Sequence, residues 1–142
     1  MWRAYFESSL LLETRLDHDL RSTSGLSLID YNVLLLLAEA EGHRLRMGEL
    51  ASQMVFSASR ATYQVKSMEK RGLVLRQTAA DDGRGSEAVL TATGMEALRD
   101  ASPKHARTVE ALFTDHVDTT CWGAAPSASR FWARKNFNRG KK

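Results

Sequence analysis

Arg60, Tyr63, Gln64 and Lys66 follow closely on three small residues, Ser57, Ala58 and Ser59, and an Asp82-Gly83-Arg84-Gly85 cluster comes further along the chain. These side chains suit recognition rather than bond making. A helix that begins with small residues can approach duplex DNA closely, where its terminal amides and serine hydroxyls meet phosphate. One turn in, Arg60 suits a guanine edge, Gln64 an adenine edge, and Tyr63 a phosphate or thymine methyl. Lys66 adds a cation to the same polar face. Arg84, flanked by glycines, is slim enough for a narrow minor groove.

Such a set needs a helix, a tight turn before it and a hairpin after it. Ser57 is placed to cap a helix running through Arg71, with Ala61, Val65 and Met68 on one face and Gly72 at its end. Residues 47–55 predict a short helix with Leu50, Ala51 and Met54 inward, joined through Phe56-Ser57. Leu73–Thr78 and Glu87–Thr91 are strand-like, with Asp-Gly and Arg-Gly between them. Two helices and a following hairpin make a winged helix-turn-helix.

Upstream, Trp2, Phe6, Leu12, Leu16 and Leu20 form one stripe of an amphipathic helix over 2–21. A second, buried helix starts at a Ser27/Asp30 reciprocal cap, is apolar on nearly all sides over Val33–Ala38, and has Gly42 as its left-handed stop. The stretch 43–47 is a connection or a single strand. Downstream, Thr91 and Thr93 offer caps, Thr93 with Glu96 as a capping box. The following helix carries Met95, Leu98, Val109, Leu112 and Phe113; Pro103 kinks it or restarts it behind Ser102.

At 142 residues, with 43% hydrophobic and 26% charged residues, the chain is expected to be one soluble domain. No apolar run approaches the roughly 20 residues that cross a bilayer. The N-terminus has acids within its apolar stretch and no small-residue cleavage site, and Cys121 is the lone cysteine. A cytoplasmic protein without membrane contact is the expectation. The net charge of +3 divides unevenly: residues 119–142 hold six basic residues and no acid, so residues 1–118 carry 14 basic against 17 acidic. Within 44–84, eight basic residues face four acidic ones, which places the anion-binding surface there.

Other chemistries find little support. The chain has no phosphate loop, HExxH, Cys-His cluster or nucleophile motif, and Glu39/Glu41 and Asp81/Asp82 lack an acid/base context. No enzyme activity and no cofactor or metal are expected. His105 and His116, three helical turns apart, read as ordinary surface residues, and Cys121 as a free thiol. Tyr5, Phe6 and Tyr31, with Trp2, are candidates for an aromatic-friendly ligand pocket, or else plain core. A protein-docking winged helix without specific DNA binding is the alternative function.

The ordered motifs Gly48-Glu49-Leu50-Ala51, Ser57-Ala58-Ser59, Arg71-Gly72-Leu73-Val74, Asp82-Gly83-Arg84 and Leu90-Thr91-Ala92-Thr93-Gly94 resemble those of the MarR family of bacterial transcription regulators. The resemblance covers roughly residues 1–118. It implies a mainly α fold with a small β-hairpin wing, a DNA-binding core at about 27–94, and flanking dimerisation helices. It further implies a homodimer on a pseudo-palindromic operator near its own promoter, with Arg84 in the minor groove positioned by Asp82. A small aromatic or anionic effector that releases DNA is also implied, the whole acting as a ligand-responsive repressor. Tyr63 departs from the basic residue many members have there. Residues 119–142 lack the family's last Leu-rich helix and read as an irregular basic tail, either a frameshifted helix or an arm with non-specific DNA affinity.

Overall fold

The computed structural model describes residues 1–79 and 85–113. Five helices and three strands run in the order α1 (Trp2–Ser24), α2 (Leu28–Glu39), β1 (Arg44–Arg46), α3 (Met47–Gln53), α4 (Ala58–Lys70), β2 (Val74–Thr78), β3 (Ser86–Leu90) and α5 (Ala92–Leu112). Two compact units divide the chain at Thr108/Val109; of the second, the structure describes 109–113, the last turn of α5 and the residue after it. The fold is mainly α with a small sheet, as the sequence predicts.

Helix α1 ends where Gly25 takes a left-handed φ of 68° and its N–H closes on the Arg21 carbonyl. Of the predicted stripe only the C-terminal part is covered: Leu20 is fully buried, whereas Trp2 and Phe6 stand exposed. Helix α2 has the predicted reciprocal cap, in which the Asp30 N–H donates to Ser27 Oγ and the Ser27 N–H donates to Asp30 Oδ2, both at 3.0 Å. It ends at Glu39, before Gly42. The positive φ of Gly42 belongs instead to a 3-10 turn, Glu41–His43. Leu34, Leu37, Leu50, Val65, Met68 and Val74 meet in the core that α2, α3, α4 and the sheet share.

The wing has three strands rather than a bare hairpin. β3 lies between β1 and β2 and is antiparallel to both, with Leu45 opposite Ala88 and Val74 opposite Leu90. Ala88 and Leu90, two residues apart and so on one face of this central strand, are both buried.

The start of α5 corrects the predicted caps. Thr91 Oγ1 accepts the Gly94 N–H at 3.0 Å and lies within 2.6 and 2.9 Å of the Gly72 and Leu73 carbonyls. Thr91 is therefore the cap, and Thr93 lies inside the helix. Gly94 is required by contact: a Cβ there would overlap the Leu73 carbonyl oxygen and stand 2.8 Å from Leu90 Cδ1. Ser102 is not a cap either, because its hydroxyl donates to the Leu98 carbonyl at 2.6 Å and α5 continues through Pro103. Pro103 is exposed, so water can satisfy the carbonyl one turn back that its missing N–H leaves open.

Candidate nucleic-acid interface

Helices α3 and α4 meet at a turn built around Val55, whose φ of 56° is left-handed and whose side chain is 90% exposed. The Phe56 N–H bonds the Ala51 carbonyl at 2.8 Å and fixes the direction in which α4 leaves. Ser57 then caps α4, accepting the Arg60 N–H at 3.3 Å, with Ser59 Oγ 3.1 Å from its own hydroxyl. Ala61, Val65 and Met68 seat the helix on the core.

At 3.6 residues per turn, the opposite face of α4 presents Ser59, Tyr63, Lys66 and Lys70, all exposed. No ion pair with another described residue engages Arg60, Lys66 or Lys70. This row of hydroxyls and cations on the solvent-facing side of α4 is suited to phosphates and base edges. Lys70, not among the residues the sequence singles out, shares this exposed row by its spacing from Tyr63 and Lys66.

Gln64 differs from its predicted role. It lies on the flank of α4 that faces α2, and its Nε2 donates to Asp30 Oδ1 at 2.6 Å. A carboxylate only accepts, so the nitrogen of the amide is the end committed to Asp30. Adenine recognition needs that nitrogen together with the amide oxygen. The structure thus gives Gln64 to the core network, and nothing in local sequence marks a partner 34 residues away. Arg71, on the same flank, donates to Asp30 Oδ2 at 2.6 Å and to the Gly25 carbonyl at 2.8 Å. Arg60 keeps its side chain in solvent, with its Cζ 4.0 Å from the centroid of the Phe56 ring.

The base of the wing is held by polar contacts. Gln77 Nε2 donates to Glu87 at 2.7 Å across the β2–β3 pair, Arg44 approaches the same carboxylate at 3.4 Å, and Arg76 reaches Ser86 Oγ. Asp82 and Arg84 lie outside the described residues, as do His116, Cys121 and the tail 119–142. Of the local basic excess, Arg44 and Arg71 are spent on internal acids.

The proposed pocket aromatics do not come together. Tyr31 is 3% exposed, its hydroxyl 3.3 Å from Ser102 Oγ and its ring 4.5 Å from that of His105. Tyr5 and Phe6 are exposed near the start of α1, beside Trp2. A surface cleft of about 350 Å³, walled by Glu39, Glu41, Arg44 and Glu49 among others, includes none of the three. His105 is not a surface residue as predicted; it is 5% exposed, and burial pushes its pKa down while Asp19 partly opposes the shift. Among the described residues no cluster of His, Cys, Asp and Glu could hold a metal, and no helix is long and apolar enough to cross a membrane.

Comparison of this structure with solved ones finds AbsC, a MarR family transcriptional regulator from Streptomyces coelicolor, at 36% identity and a TM-score of 0.82, covering 94% of this chain and 89% of that one. The chain belongs to the MarR family of transcriptional regulators. A family model described as MarR family matches residues 24–85, which span α2 to the wing of this MarR protein. A second Streptomyces coelicolor MarR regulator, solved in complex with DNA, is 35% identical with a TM-score of 0.83, covering 94% of this chain and 86% of that one. The transcriptional regulator BldR from Sulfolobus solfataricus shares the fold at 21% identity and a TM-score of 0.76, over 85% of each chain. Comparison with curated proteins finds no match.

Proposed function

We propose that this MarR family protein is a sequence-specific, ligand-responsive repressor that binds a pseudo-palindromic operator as a homodimer. The observation that carries the reading is the outward row of α4, where Ser59, Tyr63, Lys66 and Lys70 are exposed and the lysines form no ion pair with described residues. With α4 in the major groove, Ser57 and Ser59 meet phosphate at the helix start, Arg60 reads a base edge, and Lys66 and Lys70 follow the backbone. Arg84, aided by Asp82, takes the minor groove. The relative solved with DNA supports this use of the fold.

The exposed apolar residues of α1 support the homodimer. Trp2, Tyr5, Phe6 and Leu10 are each at least 47% exposed and share one side of the first three turns of α1. A patch of that kind is what a partner helix covers. The effector is a small aromatic or anionic molecule. A band shift with the DNA upstream of the gene, using wild type and Arg84→Ala, tests the proposal. Specific binding that weakens on the substitution supports it, and no shift even at low salt favours a protein-docking module.

A further inference from the structure

Phe56 immediately precedes the Ser57 cap, at the position where an apolar residue commonly packs against the first turns of the helix. Here its ring instead lies under the Arg60 guanidinium, with Arg60 Cζ 4.0 Å from the ring centroid. Phe56 is only half-buried, and its backbone is pinned to Ala51 by the 2.8 Å bond across the α3–α4 turn. Arg60 is pinned at its own backbone by Ser57 Oγ. Both ends of the contact therefore belong to fixed points of the helix-turn-helix, and the guanidinium is held although its side chain is exposed.

The form of this contact matters for what Arg60 can do next. A cation over an aromatic ring uses the face of the guanidinium and leaves the N–H donors at its edge for other partners. Those in-plane donors are what a guanine O6/N7 pair requires. An ion pair with a carboxylate, such as the one that occupies Arg71, consumes them instead. Part of the freedom that a long side chain surrenders on gripping a base is already surrendered here. With the Gln64 amide turned onto Asp30, Arg60 is the long cationic donor in the first two turns of α4.

We propose that Phe56 is a positioning residue that presents Arg60 as the guanine reader of α4. This rests on the DNA-reading role proposed above. The full chain is used to select from a pool of duplexes randomised over about two helical turns, the span of two half-sites. Wild type is expected to enrich a guanine at one position of each half-site, and Arg60→Ala to lose that preference. Phe56→Leu is expected to relax it by about two- to fivefold, the scale of an exposed cation–π contact. Phe56→Trp keeps it, and in the Arg60→Ala background Phe56→Leu changes nothing further.

Enrichment of no sequence by wild type overturns the DNA-reading role and this proposal with it. Enrichment whose guanine preference survives Phe56→Leu overturns the positioning role alone. So does a loss of DNA affinity from Phe56→Leu that is as large in the Arg60→Ala background as in wild type, because Phe56 would then act through general packing. Should the leucine variant fail to fold, a tryptophan variant that folds yet relaxes the guanine preference also overturns it.

Discussion

The Asp30 carboxylate, 4% exposed at the start of α2, holds the Arg71 guanidinium at the end of α4 at 2.6 Å. The same carboxylate accepts from Gln64 in the middle of α4 and from the Ser27 N–H at its own helix cap. One acid thus ties the cap of the central helix to two points on α4. Burying a carboxylate is costly unless its lone pairs are met, and here three donors meet them.

Arg71→Ala leaves Asp30 buried with its strongest donor gone. The expected cost is about 1.5–3 kcal/mol, the range for hydrogen bonds to charged groups. Denaturant unfolding checks it as a lowered midpoint with an unchanged slope. Arg71→Lys should recover only part of the loss, since a single ammonium cannot reproduce the fork to both Asp30 and the Gly25 carbonyl. A wild-type midpoint for Arg71→Ala would show that solvent already supports Asp30.

Val55 sets a second expectation, of opposite sign. It is β-branched, holds φ at 56°, and makes little use of its side chain, which is 90% exposed. Left-handed backbone costs a non-glycine residue roughly 1–2 kcal/mol, part of which glycine gives back through its greater freedom when unfolded. Val55→Gly should therefore stabilise the protein by about 1 kcal/mol. Thermal unfolding reads this directly, and a lower midpoint for the glycine variant would contradict the strained turn.

His105 gives the fold a pH dependence. Burial beneath Tyr31 lowers its pKa below the usual 6.5, with Asp19 opposing. The unfolded chain then binds the proton more readily than the folded one, so stability rises with pH. The contribution is complete above about 6.5 and is lost as pH falls from there toward the folded-state value. His105→Gln should flatten that part of the profile of unfolding midpoint against pH. An unaltered slope would assign the acid sensitivity to other groups.

Local signals in the sequence carried much of the architecture. The Ser27/Asp30 and Ser57 caps, the apolar run of α2 and the strand-like composition of β2 and β3 each depend on neighbours within a few residues, and those elements form within a residue of where the sequence places them. Long-range pairings were not legible. Gln64 reads as a base contact and Arg71 as a plain helix end because their shared acceptor, Asp30, sits on α2, and His105 reads as exposed because Tyr31 covers it from another helix. The capping box at Thr93/Glu96 misled for a related reason. The carbonyls of Gly72 and Leu73 draw Thr91 into the cap, and they arrive only when the sheet docks.

The central claim is that the exposed row of α4 reads a specific duplex. The most direct measurement is the equilibrium affinity of the full chain for the DNA upstream of its gene and for a scrambled duplex of equal length, at one salt concentration. The upstream duplex is expected to bind tighter by about a thousandfold or more, the usual margin of specific over non-specific sites. Equal affinity for the two duplexes would contradict the claim.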